Sequence, residues 1–302
     1  MLVLPLDVDI LSPVDDHIFK TLLTHPDAKP VLIDVLSASM DRNVTDVTVR
    51  NNELPISDDN EKGERLDVNC VIDDGDQADV EMHGSHIQEL DDTHSSFINK
   101  YIYYLTDLHS SQPSKGKKYH ELARTYQITF CNYTIYPQRK DYITRSAMRT
   151  EGGELITDQI NFILVELSKL DETLKKPVDK LTPLEMWSIF FKFAPDVRKR
   201  DVVNEVINQK EEIAIAGALL MEISQDEHQR AKNRSRRMFE TDQISNLLTA
   251  EERGERRGER RGERRGSNLK ALEIAHILKA EGDTVEKIMR ITGLTAAEVE
   301  KA

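Results

Sequence analysis

Cysteine is scarce in this chain. Only two of its 302 residues are cysteines, Cys70 and Cys131, and both lie in apolar, strand-like runs. A disulfide framework of the kind that stabilises small secreted domains is therefore excluded. We expect both thiols to be buried and reduced.

Long apolar runs are also absent. No stretch of about 18 apolar residues occurs, so the sequence predicts no membrane-spanning helix and no membrane partner. The segment Met1–Asp9 is apolar but has no basic region, which argues against a secretory signal peptide. We therefore expect a cytoplasmic protein.

Positive charge is in deficit. The chain has 41 basic and 54 acidic residues, which gives a net charge of −13 at pH 7. This balance argues against a general nucleic-acid coat protein. It leaves open a nucleic-acid contact through local basic clusters, and two such clusters occur, at residues 115–118 and 230–237.

The most informative stretch lies between Gly63 and His83. It contains two short runs in which apolar and polar residues alternate, Leu66–Ile72 and Ala78–His83. Alternation with a period of two predicts a β-hairpin that buries one face in a core. Residues 73–76 between the runs are three aspartates and a glycine, which are typical of a tight turn.

Two carboxylates of this hairpin form a candidate metal site. If the hairpin closes symmetrically about Asp74, Asp67 lies opposite Glu81 on the same face, with Cβ atoms roughly 4.5–5.5 Å apart. Carboxylates at this separation repel each other unless a proton or a cation lies between them. Oxygen ligands of this kind suit Mg²⁺ or Mn²⁺. From spacing alone, an acidic face exposed to solvent explains the same pattern.

The first 170 residues alternate between helical and strand-like patterns. Apolar residues recur at three- and four-residue spacings in the helical stretches and at every second residue in the strands. The predicted helices begin at Ser12, Pro30 and Thr93, and the predicted strands are the hairpin, Val44–Val49, Thr125–Tyr136 and Gln159–Leu167. This order predicts an α/β domain at residues 1–170.

From Pro183 onward the pattern is helical. Helices are predicted over Leu184–Phe193, Asp201–Ile223 and Asp226–Leu248. The end of the chain is predicted to form two short helices around a Thr-Gly-Leu turn, as in a helix-turn-helix. The second of these helices is acidic, so the sequence fits a role in packing or assembly at least as well as a role in reading DNA. The predicted regions after residue 170 are a helical region at 171–248, a repeat or linker at 249–268 and a helix-turn-helix-like segment at 269–302.

One internal repeat, Gly-Glu-Arg-Arg, runs through residues 253–266 and places glycine at every fourth position. Glycine destabilises a helix by about 1 kcal/mol per residue relative to alanine. Glu–Arg pairs four residues apart would add only weak support. We therefore expect a helix here only if a partner packs on the glycine stripe, which would make the chain a homo-oligomer. Otherwise the repeat would be a flexible charged linker.

Several motifs follow one another in a fixed order. They are Ser12–Lys20 (Ser-Pro-Val-Asp-Asp-His-Ile-Phe-Lys), Asp67 and Glu81 in the hairpin, Lys100 before a Tyr-Tyr pair, Glu166–Lys169 (Glu-Leu-Ser-Lys), the glycine-rich repeat and the ending Ile-Thr-Gly-Leu-Thr. In these motifs the chain resembles the PD-(D/E)XK nuclease family transposases, also called recombination-promoting nucleases. The resemblance extends from about residue 12 to residue 294.

The resemblance implies a restriction-endonuclease-like core, a mixed sheet flanked by helices, followed by an all-helical C-terminal half. It also implies metal-dependent cleavage of DNA, linked to recombination or mobile elements. Asp67 and Glu81 stand where the family has its metal-binding Asp and Glu, and they would hold Mg²⁺ or Mn²⁺. Asp16 on the first helix would reach the same ion or orient one of its waters.

Two positions depart from the family pattern. His83, two residues after Glu81 on the same face of the strand, stands where the family has Gln or Lys. A histidine can act as a general base near neutral pH or bind metal. Lys100 stands where the family favours Arg, which retains the positive charge without a bidentate phosphate contact. The residues expected to contact DNA are Lys100, Lys115, Lys117 and Lys118.

Two functions are therefore compatible with the sequence. The first is a Mg²⁺-dependent deoxyribonuclease of the endonuclease type, in which Asp67, Glu81, His83 and Asp16 are catalytic. The second is a family member that has lost catalysis and binds DNA or itself through its helical half. Position 83 distinguishes the two functions, because that residue would complete the site.

Overall fold

The computed structural model describes residues 2–50, 67–73, 75–84, 93–112 and 118–302. The contacts divide the chain into two compact units, Met1–Arg236 and Arg237–Ala302. Among the described helices, none has the length and apolar character that crossing a membrane requires.

A six-stranded mixed sheet forms the centre of the first unit. Its strands are β1 (Val47–Val49), β2 (Val68–Ile72), β3 (Asp76–His83), β4 (Thr125–Cys131), β5 (Ile143–Arg149) and β6 (Leu155–Glu166). Their order across the sheet is β1-β2-β3-β4-β6-β5. Strands β3, β4 and β6 run parallel, and the remaining neighbours pair antiparallel.

Helices cover both faces of this sheet, which confirms the predicted fold class. The helices up to residue 225 are α1 (Asp16–Leu23), α2 (Lys29–Met40), α3 (Thr93–Ser110), α4 (Pro183–Phe193), α5 (Arg200–Ile207) and α6 (Glu211–Gln225). Helix α3 packs on one face through Phe97, Tyr101 and Leu105. The other five share a single core with the opposite face. Helices α4 to α6 therefore belong to the same core as the sheet.

The predicted hairpin is confirmed, together with its register. Strands β2 and β3 pair antiparallel with Val68 opposite Val80. One step outward along the same register, Asp67 lies opposite Glu81. The apolar residues of both strands face the helices of the large core, because side chains alternate between the two faces of a strand.

The turn of the hairpin is built from residues that accept unusual backbone angles. Asp73 has a φ of 43° and Gly75 a φ of 109°, in the region that aspartate and glycine tolerate best. The Asp73 carboxylate also accepts hydrogen bonds from the backbone N–H groups of Thr45 (2.8 Å) and Asp46 (3.1 Å). The turn is thereby tied to the segment that leads into β1. Asp74 lies outside the described residues.

Before residue 226, the structure differs from the prediction most clearly at three elements. Helix α1 begins at Asp16 and not at residue 12, because Ser12 accepts a turn hydrogen bond from Asp15. The helix predicted over 201–223 is divided into α5 and α6, since Lys210 is extended and its ammonium pairs with Asp34 of α2. Strand β5 was not predicted, because it is an edge strand whose side chains are mostly exposed.

The second unit contains α7 (Glu227–Ala280) from residue 237 onward, α8 (Val285–Thr292) and α9 (Ala296–Lys301). A small apolar cluster joins the three helices, and it consists of Ala275, Ile288, Leu294 and Val299. Gly293, with a φ of 72°, ends α8, and Thr295 caps α9.

The Gly-Glu-Arg-Arg repeat is part of α7. An added Cβ atom at Gly254, Gly258, Gly262 or Gly266 would meet nothing within 4 Å. The repeat is helical in the described structure, and the packing of a partner on its glycine stripe stays a prediction. The repeat continues a helix that exists on both sides of it, so it avoids the cost of nucleation.

A buried ion pair holds the loop that follows β4. Glu166 accepts a hydrogen bond from the Lys169 ammonium at 2.6 Å, and the two side chains are 0% and 10% exposed. The other oxygen of Glu166 accepts from the backbone N–H groups of Ile135 (2.7 Å) and Tyr136 (3.0 Å). The Glu-Leu-Ser-Lys motif thus has a structural role, because it fixes this loop against the end of β6.

Glu166→Gln is expected to lower the free energy of unfolding by about 3 kcal/mol, because it leaves the Lys169 ammonium buried without its counter-charge. Urea unfolding measures this loss. Glu172→Gln is the matched control, since Glu172 and Lys175 have the same spacing and the same 2.6 Å distance but are exposed. The control should unfold like the wild type, and equal losses in both variants would contradict the structural role.

Candidate active site

Three carboxylates come together on the face of the sheet that α3 covers. Asp67 directly precedes β2, and Asp79 and Glu81 project from the same side of β3, since they are two residues apart. Asp79 is fully buried and Glu81 is 5% exposed. An acidic hairpin face exposed to solvent is therefore excluded.

Burial raises the pKa of every carboxyl in this cluster. Burial, followed by the charge of Glu81, raises the pKa of Asp67 to about 8. Burial raises the pKa of Asp79 to about 7, and the charge of Asp67 acts in the same direction. Burial and the charge of Asp79 hold the pKa of Glu81 well above its usual value. At neutral pH the cluster must therefore hold extra protons or a cation.

The cluster also contains buried oxygen atoms that no donor of the described residues reaches. Within that part of the chain, Asp79 Oδ1 and Glu81 Oε1 have no hydrogen-bond partner. The other oxygen of Asp79 accepts from the Gln127 amide at 2.9 Å, and Asp67 accepts from the backbone N–H of Met82 at 3.2 Å. Buried acceptors are normally satisfied, so the unsatisfied ones mark a place that either a proton or a cation would fill.

Asp67 and Glu81 have the chemistry that a hard divalent cation requires. They are oxygen donors, they lie opposite each other, and they carry more negative charge than their surroundings neutralise. Among the described residues, no three His, Cys, Asp or Glu side chains are grouped so that they could hold a metal ion. The pair would therefore leave most positions around the ion to water and substrate oxygens, as Mg²⁺ sites commonly do.

Two lysines balance part of the negative charge. Lys20 of α1 lowers the pKa of Asp67. Lys100 of α3 lowers the pKa of Glu81, and its Nζ lies 4.9 Å from the centre of the Tyr101 ring. Lys100 is thus beside the carboxylates, at a position from which a phosphate at the cluster could be contacted.

Asp16 is near the cluster but is paired elsewhere. Its charge raises the pKa of Asp67, which places the two carboxylates within electrostatic range. Both oxygens of Asp16 accept hydrogen bonds from Nη2 of Arg236 in α7, at 2.8 and 2.6 Å. To bind a metal ion, Asp16 would have to exchange this guanidinium for the ion.

His83 follows Glu81 on the same face of β3 and is held by aromatic side chains. Its Nδ1 lies 2.8 Å from the hydroxyl oxygen of Tyr133. The centres of the Phe97 and Tyr101 rings are 5.4 and 6.4 Å from the centre of the imidazole, in edge-on contacts. Packing therefore fixes the orientation of His83 next to the carboxylates.

Of the three lysines in the loop predicted to bind DNA, the structure describes only Lys118. Lys115 and Lys117 lie outside the described residues. Lys118 is exposed and precedes β4, whose first residue pairs with Gln77. This is the end of β3 that lies away from His83.

Two residues of the site were missed by the sequence prediction. Asp79 shares a strand face with Glu81, and the alternating pattern already placed both on that face. Lys20 lies in the opening motif, but its distance from the hairpin in sequence hid its electrostatic effect on Asp67. The alternating pattern was sufficient to predict the position of Asp79. The position of Lys20 depends on how α1 packs on the sheet.

Comparison with known proteins agrees with this architecture. The model of a family described as PD-(D/E)XK nuclease family transposase matches residues 13–250. The matched residues contain the whole sheet and all three carboxylates. Neither the curated proteins nor the solved structures gave a match.

In the metal-free protein, the contribution of Asp67 to stability is expected to fall as the pH rises from about 4 to about 8. Because the pKa of Asp67 is raised from 3.8 to about 8, the folded state binds more protons than the unfolded state in this window. This contribution to the free energy of unfolding therefore falls with pH. Thermal unfolding in EDTA across this range measures the slope.

Asp67→Asn should flatten this slope and raise the melting temperature at pH 8. Asp171→Asn, which changes an exposed aspartate, serves as the matched control and should keep the wild-type slope. Equal slopes for the wild type and Asp67→Asn in EDTA would contradict the assignment.

Proposed function

The chain belongs to the PD-(D/E)XK nuclease family transposases, and from this membership we propose that it is a metal-dependent endonuclease that cuts DNA. The observation that carries the proposal is the pair Asp67–Glu81, in which Glu81 is buried and Asp67 half-buried. These carboxylates face each other beneath α3, and their pKa values are raised far above the ordinary range. Perturbed carboxyls of this kind are typical of functional sites.

The pair Asp67–Glu81 would hold the ion, which we propose to be Mg²⁺ or Mn²⁺. When bound, a divalent ion polarises the scissile phosphate and lowers the pKa of an attacking water. Asp79, fixed by Gln127, would keep Glu81 in position from the same strand face.

The basic residues around the pair have roles in the same proposal. Lys20 and Lys100 would stabilise negative charge that develops on the phosphate in the transition state. His83 would accept a proton from the attacking water, because an imidazole titrates near neutral pH. The hydroxyl of Tyr133, 2.8 Å from Nδ1, would orient the ring for that transfer.

Asp67→Asn and Glu81→Gln are each expected to lower plasmid nicking in Mg²⁺ by about 100-fold or more. They should also abolish stabilisation by the ion, which at 100 times its Kd would add about 2.7 kcal/mol to the wild type. Nicking assays and thermal unfolding with and without Mg²⁺ measure the two effects. Asp171→Asn and Glu172→Gln, at exposed positions, should behave like the wild type. Nicking that survives in both site variants would refute the metal pair.

A second candidate function rests on the packing of His83. The imidazole lies among three aromatic rings and is hydrogen-bonded to Tyr133, which is also the environment of a purely structural histidine. In that case the protein would bind DNA without cutting it efficiently.

His83→Gln separates the two candidates. If His83 accepts the proton, the variant should lose about 100-fold in nicking rate and its pH profile should lose the limb that reports the imidazole. Tyr133→Phe should give a smaller loss, since it removes only the orienting hydroxyl. Faster nicking by His83→Gln would instead favour the second candidate.

A further inference from the structure

The Gly-Glu-Arg-Arg repeat separates its charges around helix α7. Successive residues of an α-helix differ by roughly 100°, so each four-residue repeat advances by roughly 40°. Over residues 253–266 all the arginines therefore fall within roughly half of the helix circumference. Apart from Gly254, the glycines and glutamates occupy the other half. We call the first half the arginine face, and it consists of Arg253, Arg256, Arg257, Arg260, Arg261, Arg264 and Arg265.

The helix does not neutralise these arginines. With a period of four, residues at i and i+4 are identical, so arginine follows arginine and glutamate follows glutamate. The expectation of Glu–Arg pairs four residues apart within the repeat was therefore wrong. In the described residues 249–270, one ion pair involves the arginine face, between Arg256 and Glu252, at 3.8 Å with both side chains exposed. Every arginine of the face is exposed.

The concentration of charge contrasts with the rest of the chain. Seven arginines and three glutamates give the repeat a net charge of +4, whereas the whole chain carries −13. The other residues together therefore carry −17. Most of the surface outside the repeat would therefore repel a polyanion, whereas the arginine face would attract it.

The opposite half of the helix offers no comparable contact. The glycines of the repeat have open space around them, and a row of small residues provides neither charge nor apolar area. The glutamates beside them would repel a polyanion. Within the repeat, the groups that could bind a polyanion therefore lie on the arginine face.

We propose that the arginine face binds the phosphate backbone of duplex DNA without preference for base sequence. A guanidinium can donate two parallel hydrogen bonds to a phosphate, and the repeat is roughly 20 Å long in a helix, enough to follow several phosphates. The choice of DNA as the polyanion rests on the proposed nuclease function. The surface shares no residue with the carboxylate cluster, since its residues belong to the second unit.

The test rearranges the charges and keeps the composition. The permuted variant carries Glu255→Arg, Arg257→Glu, Glu259→Arg, Arg260→Glu, Glu263→Arg and Arg264→Glu. It has the same net charge and the same glycines as the wild type, but three glutamates interrupt the centre of the arginine face. Circular dichroism verifies that the helix is retained.

Binding is measured by fluorescence anisotropy of a labelled mixed-sequence duplex with the full chain. EDTA prevents cleavage, and NaCl is varied from 50 to 200 mM. Each phosphate contact contributes about −0.9 to the slope of log K against log salt. We expect the permuted variant to lose at least tenfold in affinity at 50 mM and to give a slope about three units less steep. If the exchange lowers helicity, Arg260→Gln with Arg264→Gln tests the same contact, with a slope about two units less steep.

The matched control replaces Gly254, Gly258, Gly262 and Gly266 by alanine. It keeps every arginine and favours the helix, so DNA binding should be unchanged or tighter. Equal affinity and slope for the wild type and the permuted variant would overturn the proposal. So would wild-type binding to phosphatidylserine vesicles without binding to the duplex.

The outcome is separable from that of the proposed function. A wild type that binds the duplex with the expected salt dependence but fails to nick DNA in Mg²⁺ would overturn the nuclease proposal and support the arginine face. A permuted variant that binds like the wild type, in a protein that nicks DNA, would overturn the arginine face alone.

Discussion

The burial of like charges beneath α3 is the constraint on which the rest of the site depends. Carboxylates resist removal from water, and this protein removes Asp67, Asp79 and Glu81 together. The hairpin fixes the first and third of them opposite each other, and α3 closes the space above them with aromatic side chains. The surrounding lysines reduce the repulsion without removing it. A site of this kind is stable only with bound protons or a bound cation.

The large apolar core on the other face of the sheet stabilises the strands that carry these carboxylates. Five helices share one apolar core with β2 and β3, so the strands that carry the carboxylates are anchored from behind. Stability gained on that face offsets the electrostatic cost on the α3 face. The two faces of the sheet can differ in this way because alternate residues of one strand point to opposite faces. Strands β2 and β3 thus carry the apolar residues of the large core on one face, and the hairpin carries the carboxylates on the other.

The sequence was informative where the pattern is local. Alternation predicted the hairpin, and its symmetry about residue 74 predicted that Asp67 would oppose Glu81. Burial of the acidic face was not predictable, because it depends on α3, which packs from outside the hairpin. The pairing of Asp16 with Arg236 joins residues far apart in sequence, so no local pattern indicates it. The extended residue that separates α5 from α6 likewise reflects a tertiary ion pair.

The loop after β4 connects a structural motif with the candidate site. Glu166 holds the backbone of Ile135 and Tyr136, and the same loop presents Tyr133 to His83. Loss of the Glu166–Lys169 ion pair would therefore displace Tyr133 and alter its hydrogen bond to the imidazole of His83. A variant at Glu166, a fully buried carboxylate, can thus lower turnover as the loss of a catalytic group would. Assigning roles in this protein consequently requires folding and turnover to be measured on the same preparation.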